Sequence, residues 1–193
     1  YDLYSASYAN LEVSKSPLNR RFIFVGRLSS VKGIDILLEA YSRIPLEIRD
    51  KWPLTFIGSG PMSELIEQRK IENVIAIPYL GPGELIQELM RGGVGVLPSR
   101  REPWGVVVHE FTQFGLPLIL SEVCGAKSRF LINNYNGFEF LMNKNAEENL
   151  KNVLLKMTRL SDQELVRFSR NSYELSKNIS PISSASNLLS IVS

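Results

Sequence analysis

A three-layer α/β/α sandwich around a mostly parallel sheet of about six strands is the fold class that this sequence predicts. Three observations predict it. Short apolar runs rich in β-branched or aromatic residues alternate with segments of helical period. Glycine or proline marks nearly every junction between them. The runs are also close to continuously apolar, as strands are when helices cover both faces of a parallel sheet.

The elements follow in order. Arg21-Phe22-Ile23-Phe24-Val25 is the first strand, and Ile34, Leu37, Leu38, Tyr41 and Ile44 then keep helical spacing. Leu54-Thr55-Phe56-Ile57 is the second strand, with Met62, Leu65 and Ile66 on the helix after it. Val74-Ile75-Ala76-Ile77 is the third, followed by a helix over 84–91. Val94-Gly95-Val96-Leu97 is the fourth, and a helix over 105–114 comes next. Leu118-Ile119-Leu120 is the fifth, and Phe138-Glu139-Phe140 follows the turn signal Asn136-Gly137 as the sixth. Beyond Asn145 the pattern is helical: Leu150, Val153, Leu154 and Met157 lie on one helix, Leu165, Phe168 and Tyr173 on a second. After Pro181 a last helix is expected from Ile182 to Val192. Residues 1–20 are polar and mixed, and read as a linker from an N-terminal domain that this sequence lacks. Residues 21–193 then form one Rossmann-like domain. A chain that starts at Tyr1 with no signal-peptide layout reads as a piece of a longer protein.

Composition removes several function classes. With 193 residues and 44% hydrophobic content the chain can bury a full core. Lys and Arg total 22 against 20 Asp and Glu, a net charge of +2, too balanced for a nucleic-acid binder that works by neutralising phosphates. Charged residues at 22% and aromatics at 9% exclude disorder. One cysteine, Cys124, excludes an internal disulfide and a multi-thiolate metal site, and fits a reducing, cytoplasmic compartment. No apolar run approaches the roughly 18 residues of a membrane-spanning helix.

In an open α/β sheet, ligands bind outside the carboxyl ends of the strands, so the loops there are the place to look. Gly26-Arg27-Leu28-Ser29-Ser30-Val31-Lys32-Gly33 leaves the first strand and opens a helix. Glycines let a ligand approach the backbone, a helix start favours anions, Arg27 offers a planar fork for phosphate oxygens and Lys32 a point charge. Spacing alone fits either a phosphate cradle or a plain turn with two solvated cations. Gly58-Ser59-Gly60-Pro61 opens like a dinucleotide fingerprint, but Ser63 stands where the third glycine belongs. Pro61 fits the first turn of a helix, and the loop is either a close backbone approach or an ordinary turn. Glu102 and Glu110 bracket a helix start, where the amides of Gly105, Val106 and Val107 are free donors. Two acceptors and a row of donors suit sugar and ribose hydroxyls. Alternatively, Glu102 complements the helix dipole and Glu110 makes a surface ion pair. The fourth loop, 121–129, holds Cys124, read as a buried inert thiol. His109, Trp52 and Trp104 are read as packing residues, and Arg100-Arg101 as a solvated pair at the mouth of a site. The working expectation is that the cationic loop faces the acidic pair across one shared pocket.

These residues, in this order, resemble the C-terminal donor-binding domain of the GT4-type retaining glycosyltransferases (glycosyl transferases group 1), one half of the two-domain GT-B fold. The resemblance covers 21–140, with the helical tail read as part of it. It rests on Gly26-Arg27 with Lys32-Gly33, on Gly58-Ser59-Gly60-Pro61, on the pair Glu102 and Glu110, and on Asn136-Gly137. It implies a nucleoside-diphosphate sugar as substrate, no metal ion and no other cofactor. Residues matching Arg27 and Lys32 hold the diphosphate and stabilise its departure, the one matching Glu102 contacts the donor sugar, and the one matching Glu110 contacts the ribose. Gly26, Gly58, Gly60, Pro61, Gly105, Val106 and Val107 bring backbone to the donor, and 77–80 lie near the nucleoside. Such an enzyme serves polysaccharide or glycoconjugate biosynthesis. Its acceptor is held by the absent N-terminal domain, through which the enzyme would also touch the inner face of a membrane. The domain alone is expected to bind donor but transfer poorly. One departure leaves sugar identity open: Cys124-Gly125-Ala126 replaces the glycine pair of many relatives, and Arg129 stands about where their glutamate falls.

Elementary chemistry agrees with the resemblance. Breaking a sugar–phosphate bond builds negative charge on the departing diphosphate, and fixed cations and amides stabilise that charge. Loss of one such group costs about 2.7–4 kcal/mol, by analogy with oxyanion-hole donors. The rival readings are a sugar-nucleotide epimerase of the same fold, a non-catalytic nucleotide-binding module, and the dinucleotide domain of an oxidoreductase. The absent three-glycine fingerprint after the first strand speaks against the last.

Overall fold

The computed structural model describes residues 19–177. The helix expected from Ile182 to Val192 and most of the 1–20 linker lie outside the described residues. The elements are β1 (Phe22–Val25), α1 (Ile34–Ser42), α2 (Leu46–Arg49), β2 (Leu54–Ile57), α3 (Ser63–Arg69), β3 (Val74–Ile77), α4 (Pro82–Met90), β4 (Val94–Leu97), α5 (Val106–Gln113), β5 (Leu118–Ser121), α6 (Lys127–Phe130), β6 (Gly137–Phe140), α7 (Ala146–Thr158) and α8 (Asp162–Ser176). A 3-10 turn, Ser30–Lys32, precedes α1.

All six strands pair in parallel, in the order β3-β2-β1-β4-β5-β6. Parallel neighbours joined through helices give a Rossmann-like α/β sandwich, as the alternation of apolar runs and helical spacing requires. The strand order reverses between β1 and β4. Phe22 pairs with Leu54 of β2 on one side and with Val94 of β4 on the other. The chain leaves β1 toward β2 and leaves β4 toward β5, so right-handed crossovers place α1 and α5 on opposite faces. α1 packs against α7 on one face, and α5 against α8 on the other. Phe22, Phe24, Phe56, Val96, Leu118 and Ile119 between them are buried.

Helix starts carry their own sequence reasons. Ser161 Oγ accepts the Glu164 amide and Glu164 Oε2 accepts the Ser161 amide at 2.8 Å, a capping box that opens α8. At α4, Glu84 Oε2 accepts the Gly81 amide at 2.9 Å and Pro82 takes the first position. The helix therefore starts two residues before the expected Glu84.

Three expectations are corrected. β3 is an edge strand, and Ile75 is 49% exposed, so the sheet is not covered on both faces along its whole width. The other edge strand, β6, differs because α7 and α8 cover it and bury Phe138 and Phe140. Pro61 lies in the turn before α3, which starts only at Ser63, because the Ser63 hydroxyl closes that turn on the Gly60 carbonyl at 2.9 Å. The 121–129 segment is not all loop: its end enters α6, anchored by buried Phe130.

Candidate active site

The loop after β1 is stitched to the loop after β2. The Gly26 amide donates to the Ile57 carbonyl at 3.0 Å, the Leu28 amide to the Ser59 carbonyl at 3.0 Å, and the Met62 amide to the Leu28 carbonyl at 3.0 Å. Gly58 permits this closeness. Its φ is +140°, and a Cβ there would lie 2.1 Å from the Gly26 carbonyl oxygen. Next to the stitched loops lies a cavity of about 470 Å³. Val25, Gly26 and Arg27 line it from β1, Ile57, Gly58 and Ser59 from β2, and Tyr79, Leu80 and Leu85 from the segment after β3. Most of these groups are apolar, with Arg27 and glycine backbone at one side.

The other half of the site comes from β4. Because β4 adjoins β1, its exit loop meets the end of the 26–33 loop. Gly33, at φ +71°, brings the start of α1 so close to β4 that a Cβ would sit 1.9 Å from the Pro98 carbonyl oxygen. Across this contact Lys32 Nζ forms an ion pair with Glu102 Oε2. Glu102 is 8% exposed. The Ser99 hydroxyl donates to the same oxygen at 3.3 Å, and the Gly125 amide donates to the Glu102 backbone carbonyl at 2.9 Å. The carboxylate is therefore held by Lys32 and Ser99, and the backbone behind it by Gly125.

Beyond Glu102 the chain turns through Gly105, at φ +95°, into α5. No side chain caps this helix. The amides of Val106 and Val107, in its first turn, therefore have no intrahelical partner and are open to a ligand. Glu110 lies one turn further along. Burial pushes its carboxyl above the usual carboxylate range.

The structure thus brings together Lys32 with Glu102, and Gly26 and Arg27 with Gly58. Gly60 and Pro61 support the second group from the adjoining turn without lining the cavity. One expectation needs correction: the cavity lined by Arg27 is lined by neither Lys32, Glu102 nor Glu110. Lys32 turns away from it because the nearest anion is Glu102 on the neighbouring strand's loop.

The remaining residues behave as packing suggests. Trp52 is buried and stacks on Phe22 at 5.1 Å, whereas Trp104 is 44% exposed. His109 stacks on Phe130 at 4.9 Å. Its buried Nε2 has no partner among the described residues, and burial lowers its pKa below 6.5. Cys124 is a buried free thiol whose pKa burial raises. Arg129 is exposed on α6. Asn136 is fully buried: it accepts the Ile132 amide at 2.8 Å and donates to Phe130 O at 2.8 Å and to Ser172 Oγ at 3.1 Å. The expected turn is thus a polar knot between β6 and α8. Sequence reading missed Leu85 of the cavity wall and Asp35, which Arg100 grips; no local pattern links residues 35 and 100, 65 positions apart. Among the described residues no three His, Cys, Asp or Glu side chains gather as a metal site, and no helix is long and apolar enough to cross a membrane.

Residues 12–175 match the family model of the glycosyl transferases group 1. The chain belongs to that family. One relative, an uncharacterised glycosyltransferase of Methanocaldococcus jannaschii, is 30% identical over 163 residues, which cover 82% of this chain and 43% of the relative. The chain therefore spans less than half the length of that relative. Among solved structures, the pneumococcal O-GlcNAc transferase GtfA in complex with UDP and GlcNAc superposes with a TM-score of 0.74 at 19% identity, covering 86% of this chain and 34% of that one. HepE from Anabaena in complex with UDP-glucose gives 0.68 at 20% identity, covering 90% and 46%. At such identities the likeness is one of fold, and the fold is that of GT-B glycosyltransferases.

Proposed function

We propose that this chain is the C-terminal, donor-binding domain of a retaining, GT4-type glycosyltransferase. It holds a nucleoside-diphosphate sugar and passes the glycosyl group to an acceptor on an N-terminal domain of the same enzyme. The observation that carries this reading is the ion pair between Lys32 and Glu102. It sets a cation suited to phosphate beside an acceptor suited to sugar hydroxyls, at the point where the strand order reverses.

On this reading the base occupies the 470 Å³ cavity, and the ribose extends out of it toward the Glu110 carboxylate. The diphosphate runs past Gly26 and Arg27 toward Lys32 and the open amides of Val106 and Val107. The sugar lies against Glu102. The bond between anomeric carbon and diphosphate oxygen breaks, its electron pair leaves with the diphosphate, and Arg27 and Lys32 stabilise that charge. These two side chains serve in place of a metal ion, so chelators should leave donor binding unchanged. That the neighbours were solved with UDP, GlcNAc or UDP-glucose supports a sugar-nucleotide donor here.

Calorimetric titration with UDP, GDP and ADP tests the reading. Heat is expected with one of them, and weaker binding after Arg27→Ala or Lys32→Ala. No heat with any at millimolar ligand overturns it. Conversion of a sugar nucleotide with no acceptor present would point instead to an epimerase.

A further inference from the structure

The segment that carries Lys32 has little of its own to hold it. Ser30–Lys32 is a single 3-10 turn with no buried residue. It is closed by two backbone bonds, Lys32 N to Ser29 O and Gly33 N to Ser30 O, both 3.0 Å. Such a turn does not by itself fix the direction of a long, flexible lysine. Arg100, on the β4 exit loop two residues before Glu102, supplies what is missing. Its amide donates to Val31 O at 2.8 Å. Its Nη1 donates to Ser30 O at 2.6 Å. Its two terminal nitrogens also grip both oxygens of Asp35, in the first turn of α1, at 2.7 and 2.6 Å.

We propose that Arg100 and Asp35 are positioning residues, a clamp that holds the Ser30–Lys32 turn against the β4 exit loop so that Lys32 is presented beside Glu102. The proposal rests on the reading of Lys32 as the cation that meets the departing diphosphate. The clamp acts on direction more than on stability. Its side chains are 40% and 38% exposed, and exposed pairs contribute little to folding. A planar fork holding a carbonyl and a carboxylate at once nonetheless fixes an orientation, which a lysine at position 100 cannot reproduce.

The test uses the full chain with its lysines ¹³C-dimethylated, the Lys32 signal being assigned by its loss in Lys32→Arg. In Arg100→Lys and Asp35→Asn, the Lys32 signal should move to the position of solvent-exposed lysines while Tm stays unchanged. UDP affinity should fall about tenfold, equivalent to one lost charge-assisted hydrogen bond, and uridine affinity should not change. An unmoved Lys32 signal overturns the proposal, as does a parallel loss of UDP and uridine binding or a clear fall in Tm, since these mark general loosening. If the unaltered chain gives no heat with UDP, GDP or ADP, it is the donor reading that fails, and the Lys32 signal alone decides the clamp. If GDP or ADP is the one that binds, it and its nucleoside replace UDP and uridine in the test.

Discussion

Lys32 and Glu102 stand seventy positions apart in the chain, yet Nζ of one pairs with Oε2 of the other across the loops that leave β1 and β4. Removing the cation alone leaves a carboxylate that is 8% exposed with one hydroxyl, that of Ser99, for a partner. Lys32→Ala should therefore destabilise the fold by about 1–3 kcal/mol. Adding Glu102→Gln should restore part of that, because no buried charge is then left unpaired. Urea unfolding of the two single variants and the double variant measures the coupling, expected at about 0.5 kcal/mol or more. Strict additivity would show that the pair contributes nothing.

Gly58 is the point where the two cavity loops touch. Gly58→Ala forces a methyl group toward the Gly26 carbonyl at an unfavourable positive φ. The expected cost is about 1–3 kcal/mol of stability, with loss of nucleoside binding as the loops part. Thermal unfolding and a uridine titration on the same sample check both.

Glu110 gives binding a pH dependence of predictable sign. Burial raises its pKa above 4.5, so it takes up a proton at a higher pH than an exposed glutamate. Ribose hydroxyls need a carboxylate to donate to, so nucleoside affinity should fall as pH drops through that raised pKa. Uridine is the suitable probe because it carries no phosphate to titrate. Calorimetry at a series of pH values descending from neutral to below 4.5 should show the decline setting in before an exposed glutamate would titrate, and Glu110→Gln should flatten it.

His109 acts on stability instead. Its pKa lies below the unfolded value of 6.5, so the unfolded chain binds the proton more readily. Its contribution is fully present above pH 6.5 and is lost as pH falls below that value toward its folded pKa. In His109→Leu this part of the acid destabilisation should vanish. Denaturant unfolding on either side of pH 6.5, comparing the two proteins, reads the difference.

Much of this molecule was legible before any coordinate. β2, β3 and β4 fall where short apolar runs predict them, and α1, α5, α7 and α8 where helical spacing does. Those patterns are local: a strand shows itself over four residues and a helix over two turns. Gly26, Arg27, Lys32, Glu102 and Glu110 were recognisable as site candidates because loops at strand ends are where ligand chemistry collects. The short helices α2 and α6 were not, since four residues carry no period. The exposure of β3 was not either, because an edge strand and a central one read alike when both are apolar.

The sequence alone determined the kind and order of the elements, and the residue types available at each strand end. Tertiary structure alone decided which loops became neighbours. The reversal of strand order between β1 and β4 put Lys32 against Glu102 and Arg100 against Asp35, and it turned Lys32 out of the cavity that Arg27 lines. The reason is physical: side-chain periodicity is set by the backbone within a few residues, whereas contact between distant loops depends on which strands pair, and pairing is a property of the whole sheet.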